Sequence, residues 1–474
     1  MIRLAFARVA SMPPHPLDRI PELAGLASYA EAAQVGYSVD ENVRRLLRYH
    51  WIERRLMAIL IARIPAEPVW EVKCALALHQ WQSAEHVDAL RHRIAELRNP
   101  VPRLDASPDP ALDAFLDELA QASSTAELLA GVYQITYESL AEAYRDHLAM
   151  TNPLVDQPTC RILRIGLSEI DDAGHWGRRA LEAVIAADPT AARVAEDWSA
   201  HLASYLAAVR GIAGDQPSGT TQDIHLARAS APRSFDFTPR RDERFTGSYN
   251  FDFPPHDVYN MPGVPADERN LALLCKRTLE MDVPEMMASF ITERANESWE
   301  FHRDFSRQLW DEARHAMMGT VAFEARGIDW KAEIPLNIGF ALRLNLHASP
   351  LERQIVLFAI EQSLMPGETG KRFEYETARA AGDELSAHFH DYDWADEVLH
   401  AQIGRRMLRR DGITSDEARE RAQAIHERTW AALAQYTSRG EQRNWWPDFV
   451  RRVLGHASAV REQAGAGPPK ILAE

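Results

Sequence analysis

From residue 41 to 64 the chain reads ENVRRLLRYHWIERRLMAILIARI, with apolar positions returning every three or four residues until Pro65. That spacing predicts an amphipathic helix, and the proline its end. A second helical pattern runs from about Trp70 to Leu97 and stops before NPVPR; two more cover about 111–150 and 158–187. Between 213 and 266 the period disappears. GDQPSGTTQ and RRDERFTGSYNFDFPPHDVYNMPGVPADE are rich in Pro, Gly and aromatics, which predicts an irregular linker whose aromatics pack against another part of the molecule.

After Asp267 the helical pattern resumes. SPLE (349–352) is a capping box with Pro in its first turn, predicting a helix that runs on to about Ala380. GDE (382–384) separates that helix from the next, TSDE (414–417) caps another, and WWPDF (445–449) precedes the last; the tail AGAGPPKILAE reads as disordered. No run reads as a strand, so the expected class is all-α. The expected organisation is a helical bundle over 1–212, a linker over 213–266, a second bundle over 267–410, and C-terminal helices with a tail over 411–474.

A chain of 474 residues, 46% hydrophobic and 26% charged, has the composition of a globular protein with one large core or two ordinary ones. Its net charge of −16 argues against nucleic acid or an anionic membrane as partner. No apolar run has the length of a membrane span or a secretory leader. Cys74, Cys160 and Cys275 are few, scattered and odd in number, as expected of free thiols in a reducing cytoplasm.

The chemistry lies in a phrase written twice. QLWDEARHAMMG (308–319) and DWADEVLHAQIG (393–404) both contain Asp-Glu-x-x-His-x-x-x-Gly. On a helix, positions three apart project from one face, so Glu312 with His315, and Glu397 with His400, each present a carboxylate and an imidazole together. Two such pairs on facing helices can hold two metal ions side by side. Through residues 267–410, and above all through these two elements, the chain resembles the ferritin-like di-metal carboxylate superfamily. The resemblance implies a four-helix bundle and one further carboxylate from each remaining helix.

For the first helix, antiparallel geometry about a turn near 295–299 favours Glu280, with Glu285 second; DVPE (282–285) marks a kink or helix start there. For the third helix, Glu361 in the apolar run IVLFAIEQSLM is favoured over Glu368, because a buried carboxylate requires a cation. Asp393 is either an additional ligand or a surface acid. Asp311 and Asp396 are expected to accept the distal N–H of a ligand histidine from another helix.

A longer echo lies upstream. WEVKCALALHQWQSAEH (70–86) and WEFHRDFSRQLWDEARH (299–315) share Trp-Glu, a later Trp and a final His, and GRR recurs at 177–179 and 404–406. The displacements, 229 and 227 residues, nearly agree. Ser83 then stands where Glu312 is, Ile170 where Glu397 is and Ala173 where His400 is. The expectation is two ferritin-like four-helix bundles in tandem, the N-terminal one degenerate. A rival expectation assembles an N-terminal metal site from Glu53, Glu85, His86, Glu138, Glu169, Asp172 and His175.

Oxygen-rich donors with two imidazoles suit iron or manganese. The resemblance implies two Fe ions, with Mn/Fe or Mn as alternatives, O2 as co-substrate, an electron donor, and oxidation of a small organic substrate by hydroxylation, N-oxygenation or desaturation, in a monomer or homodimer. The rival is a ferritin-like metal-binding or ferroxidase protein without an organic substrate. The chain's length and aromatic linker favour a substrate pocket.

Overall fold

The computed structural model describes residues 15–215, 227–228 and 234–459, and these are helical or irregular, with no strand among them. The expected disordered tail and part of the linker lie outside the described residues. In chain order the N-terminal helices are α1 (Val39–Arg63), α2 (Trp70–Leu97), α3 (Pro110–Leu119), α4 (Glu138–Met150), α5 (Gln157–Ala187) and α6 (Thr190–Val209). The helix expected over 111–150 is interrupted: α3 ends at Leu119, and a short turn at Thr125–Leu129 leads through a π-helical stretch, Ala130–Tyr137, into α4.

The C-terminal helices are α7 (Ala266–Leu279), α8 (Asp282–Glu293), α9 (Trp299–Glu324), α10 (Gly339–His347), α11 (Pro350–Ser363), α12 (Lys371–Ala380), α13 (Glu384–Arg410), α14 (Ser415–Ala432) and α15 (Trp446–Leu454). Proline interrupts this series at two points. Pro284 has no N–H to give the Glu280 carbonyl, and its ring would clash there, so α7 ends and α8 restarts around Glu280. The helix expected from 349 to 380 is two helices. It opens with the Ser349–Glu352 capping box, stops at Ser363, and passes through MPGETG before α12 begins after Gly370. Pro366 cannot continue the helical ladder, and Gly370 sits so close to the Leu364 carbonyl that a Cβ would lie 2.1 Å from it.

Helix α9 packs on α8 and α13, and α11 packs on the other side of the same two, closing a ring of four; α7 and α12 extend it at one end. The glycines of the repeated phrase set the spacing. A Cβ on Gly319 would lie 2.3 Å from Thr278 Oγ1 and 2.7 Å from its backbone nitrogen, so α9 touches α7 two residues before Glu280. A Cβ on Gly404 would lie 2.8 Å from Phe358 Cδ2, so α13 touches α11 one turn before Glu361. Gly177, the upstream GRR glycine, likewise lies under a ring, that of Tyr133.

The two halves share one continuous core. Helix α2 lies against α9, and the matching tryptophans of the two echoes, Trp81 and Trp310, stack on each other with centroids 6.3 Å apart and planes 8° from parallel. Gln80 Nε2 donates to the Ser306 carbonyl at 2.9 Å, and Trp299 Nε1 donates to Asp88 at 2.8 Å. Below them, buried Lys73 and Arg241 both pair with Glu285. Cys74, Cys160 and Cys275 are free and buried. Among the described residues no helix is long and apolar enough to cross a membrane.

Gly319→Ala forces α7 away from α9 against a backbone atom, and should cost about 1–3 kcal/mol of unfolding free energy in a urea titration. Gly404→Ala meets the rim of a phenyl ring, which can rotate, and should cost less. Equal losses would show that the backbone contact at Gly319 is not limiting.

Candidate metal centre

Helices α9, α11 and α13 of the ring, with Glu280 from the break between α7 and α8 and Glu374 from α12, bring carboxylates and imidazoles together. Glu312, Glu361, Glu397 and His400, all buried, each offer a ligand atom within 4.8 Å of the others. Glu280, His315 and Asp393 form a second such group, and Glu374, His390 and Asp393 a third. These groups could hold metal ions. Of the residues expected from sequence, Glu280, Glu312, His315, Glu361, Glu397 and His400 are all brought to this region, together with Asp393. Glu285 is not: it faces the N-terminal half, held by Lys73 and Arg241. Glu368 is exposed in the loop between α11 and α12.

Each imidazole turns one nitrogen inward and one outward. His400 Nδ1 lies 3.2 Å from both Glu312 and Glu397, while its Nε2 lies 3.4 Å from Asp311 on α9. His315 Nδ1 lies 3.1 Å from Asp393 and 3.6 Å from Glu312, while its Nε2 lies 3.1 Å from Asp396 on α13. The two Asp residues of the repeated phrase thus each hold the histidine of the opposite helix. They are anchored in turn: Arg307 reaches Asp311 at 2.8 Å, and Arg314 reaches Asp396 at 2.8 Å and also Asp311. With the outer N–H donating to the Asp, the inner nitrogen of a neutral ring presents its lone pair to a metal ion. Glu361 Oε1 accepts from Gln308 at 3.1 Å, and its buried Oε2 has no hydrogen bond.

The electrostatics separate the two groups. Burial, then repulsion from Glu397 and Glu312, drives the Glu361 carboxyl well above its usual range. Burial would depress His315, but Asp393, Asp396 and Glu312 outweigh it and lift the imidazole to about 10. Burial opposes the charge of Asp393 too, but Arg277 and Lys371 hold it below the usual carboxylate range. Lys371 is a residue that sequence reasoning missed. It is fully buried, with Nζ 2.8 Å from Asp393 and 2.9 Å from Glu397. Arg277 spans Asp393 at 2.5 Å, Glu280 at 2.8 Å and Glu374 at 2.8 Å. The Glu280–His315–Asp393 group therefore carries two protein cations; Lys371 also reaches Glu397 of the other group, where among the described residues no arginine or lysine pairs with Glu361 itself.

The corresponding place in the N-terminal half is built differently. His86 stands between two acids, Nδ1 3.0 Å from Glu53 and Nε2 2.8 Å from Glu169. The two carboxylates approach opposite edges of the ring, so they do not converge on one ion with it. Glu85, Glu138, Asp172 and His175 are exposed. A cavity of about 890 Å³ adjoins the C-terminal centre. Glu280, Glu312, Glu361 and Glu397 form part of its wall, and linker residues Phe251, Phe253, His256 and Tyr259 form another part.

In comparisons with known proteins, no family model matches the chain, and no curated protein or solved structure does.

The His86 bridge sets a pH dependence. Burial works against the imidazolium, yet Glu53 and Glu169 outweigh it and raise its pKa from 6.5 to about 10. A group raised on folding contributes fully below its unfolded value, near 6.5, and loses that contribution as pH climbs through about 10. Stability measured by urea denaturation should fall between pH 6.5 and 10 in the parent. It should fall less steeply in His86→Gln, and parallel curves would contradict the bridge.

Proposed function

We propose that this chain is a di-metal oxidoreductase that uses O2 to oxidise a small organic molecule, and that residues 267–410 form a ferritin-like four-helix bundle. The observation that carries the reading is the shared wall: four carboxylates of the candidate centre line the same large cavity as the linker aromatics. Handling iron alone calls for no such chamber, so the ferroxidase alternative is the weaker reading.

In this proposal Glu312, Glu361, Glu397 and His400 would hold one ion, and Glu280, His315 and Asp393 would hold the other. When bound, two iron or manganese ions would supply electrons to O2 and an oxidant for the substrate. An external donor must provide two further electrons if one oxygen atom enters the substrate and the other leaves as water. The protein's own residues do the rest. Asp311 and Asp396 orient the imidazoles, Gln308 steadies Glu361, and Lys371 holds a proton 2.9 Å from Glu397. Phe251, Phe253, Phe340 and Leu357 keep the cavity apolar around the reacting end.

The N-terminal half is proposed to be a second, degenerate copy of the bundle. Supporting this are the Trp81–Trp310 stack between matching residues, the parallel burial of Gly177 and Gly404 under aromatic rings, and Ser83, Ile170 and Ala173 at the ligand positions. Its role is to pack against α8 and α9 as a subunit would.

Anaerobic Fe(II) titration should saturate at two ions per chain, followed by O2 uptake when the loaded protein is mixed with air. Glu312→Ala and His400→Ala should abolish the stoichiometric binding, while His86→Ala leaves two ions in place. Four ions in the parent would assign a site to the N-terminal half, and none would remove the metal reading. A separate expectation concerns order. The Glu361 group fills first, because Arg277 and Lys371 both stand against the other group while only Lys371 reaches this one, through Glu397; Lys371→Met should tighten both steps by about tenfold, the effect of removing one nearby like charge.

A further inference from the structure

Among the described residues, one buried charge in the cavity wall has no ion pair. Arg343, on α10, is buried and lines the cavity that also reaches the candidate metal centre. Its guanidinium donates to Thr429 Oγ1 at 2.5 Å and faces His426 Nδ1 at 3.0 Å, neither of them an anion. Phe340 and Trp430 lie at 5.3 and 5.6 Å from its central carbon. Among the described residues no carboxylate forms an ion pair with it, and its buried Nε makes no hydrogen bond. Asp282, also in the wall, is committed elsewhere: it pairs with Arg241 at 3.1 Å and accepts from the Phe340 N–H at 3.1 Å.

Four other buried cations illustrate the contrast. Arg277, Lys371, Arg241 and Lys73 each face carboxylates. Burial is costly enough to pull Arg343 down to about 9, only partly offset by the more distant Asp282. A buried guanidinium without a counter-charge, opening on a chamber, is a place for an anion from outside.

We propose that Arg343 anchors the carboxylate of the substrate, so that the oxidised molecule is a monocarboxylic acid whose apolar body lies toward the metal centre. A monoanion matches one buried cation without an ion pair; of the other cations in the wall, Lys276 pairs with Glu374 and Arg443 is exposed. A phosphate dianion would bring a second charge into a chamber already walled by Asp252, Asp257, Asp282 and the cluster carboxylates. Phe251, Phe253, Phe340, Ile360 and Trp430 supply the apolar surface for the body of the molecule. This assignment rests on the oxidoreductase reading for its purpose but can be tested without turnover.

The test is calorimetric titration of the full chain, metal-loaded and after chelation, with benzoate, 4-phenylbutyrate and decanoate, each beside its amide, and with phenyl phosphate. The acids should bind about tenfold or more tightly than the amides, as a charge-assisted contact requires. The preference should persist after chelation, collapse in Arg343→Gln and survive in part in Arg343→Lys, while Arg343→Gln keeps the parent's metal stoichiometry and melting behaviour. Equal binding of acid and amide, or a preference intact in a folded Arg343→Gln, would overturn the assignment. So would a preference that disappears on chelation, or tighter binding of phenyl phosphate. If the parent takes up no metal yet selects acids through Arg343, the redox reading fails and this one stands.

Discussion

The organising constraint is the burial of negative charge. Glu280, Glu312, Glu361, Asp393 and Glu397 meet inside a ring of helices, where isolated carboxylates are costly. The surrounding structure is arranged to answer them. Arg307 and Arg314 neutralise the two Asp residues that hold the imidazoles, and Arg277 and Lys371 neutralise one end of the cluster. What remains is Glu361 itself, with which no arginine or lysine among the described residues pairs. In the proposed function that remainder is what metal ions compensate. The breaks in the helices follow the same logic. Pro284 ends α7 so that Glu280 sits at the interruption beside Arg277, and the loop after Ser363 lets α12 restart with Lys371 directed into the core.

Helix packing and ligand placement are not separate matters here. The glycine four residues after each histidine brings a neighbouring helix into backbone or ring contact, and that neighbour carries the next acid: α7 leads to Glu280, and α11 carries Glu361. One short phrase therefore supplies a carboxylate, an imidazole, the partner of the opposite imidazole, and the close approach that fixes the distance to a third helix.

Much of this was legible because it is local. Trp70 and Trp299 begin helices, and the capping boxes at Ser349 and Thr414 form with both of their hydrogen bonds. Glu361 stood out as a lone acid in an apolar run, and the structure buries it. The same reasoning applied to Arg343, a lone cation in GFALRLNLH, would have singled it out as well. Lys371 carried no such mark. It sits beside Arg372, which is half-exposed to solvent and paired with Glu376, and nothing in one dimension says which of the two turns inward. The break at 364–370 was missed because the capping signal at 349 outweighed Pro366 and its flanking glycines. Asp393 could be read either way, since one turn before Glu397 is both a ligand spacing and a surface one.

The Glu53–His86–Glu169 bridge bears on how such molecules change over time. Where the C-terminal half gathers acids that several cations must balance, the N-terminal half has reduced the problem to two acids and one imidazolium. Below about pH 10 a single proton on the ring is a self-supplied counter-ion, needing neither metal uptake nor a defended ligand set. If the halves descend from one ancestor, this is how a metal site can be retired while the helices that once held it keep their core: the charge is rebalanced in place, and the freed half is left to serve as a wall for its twin.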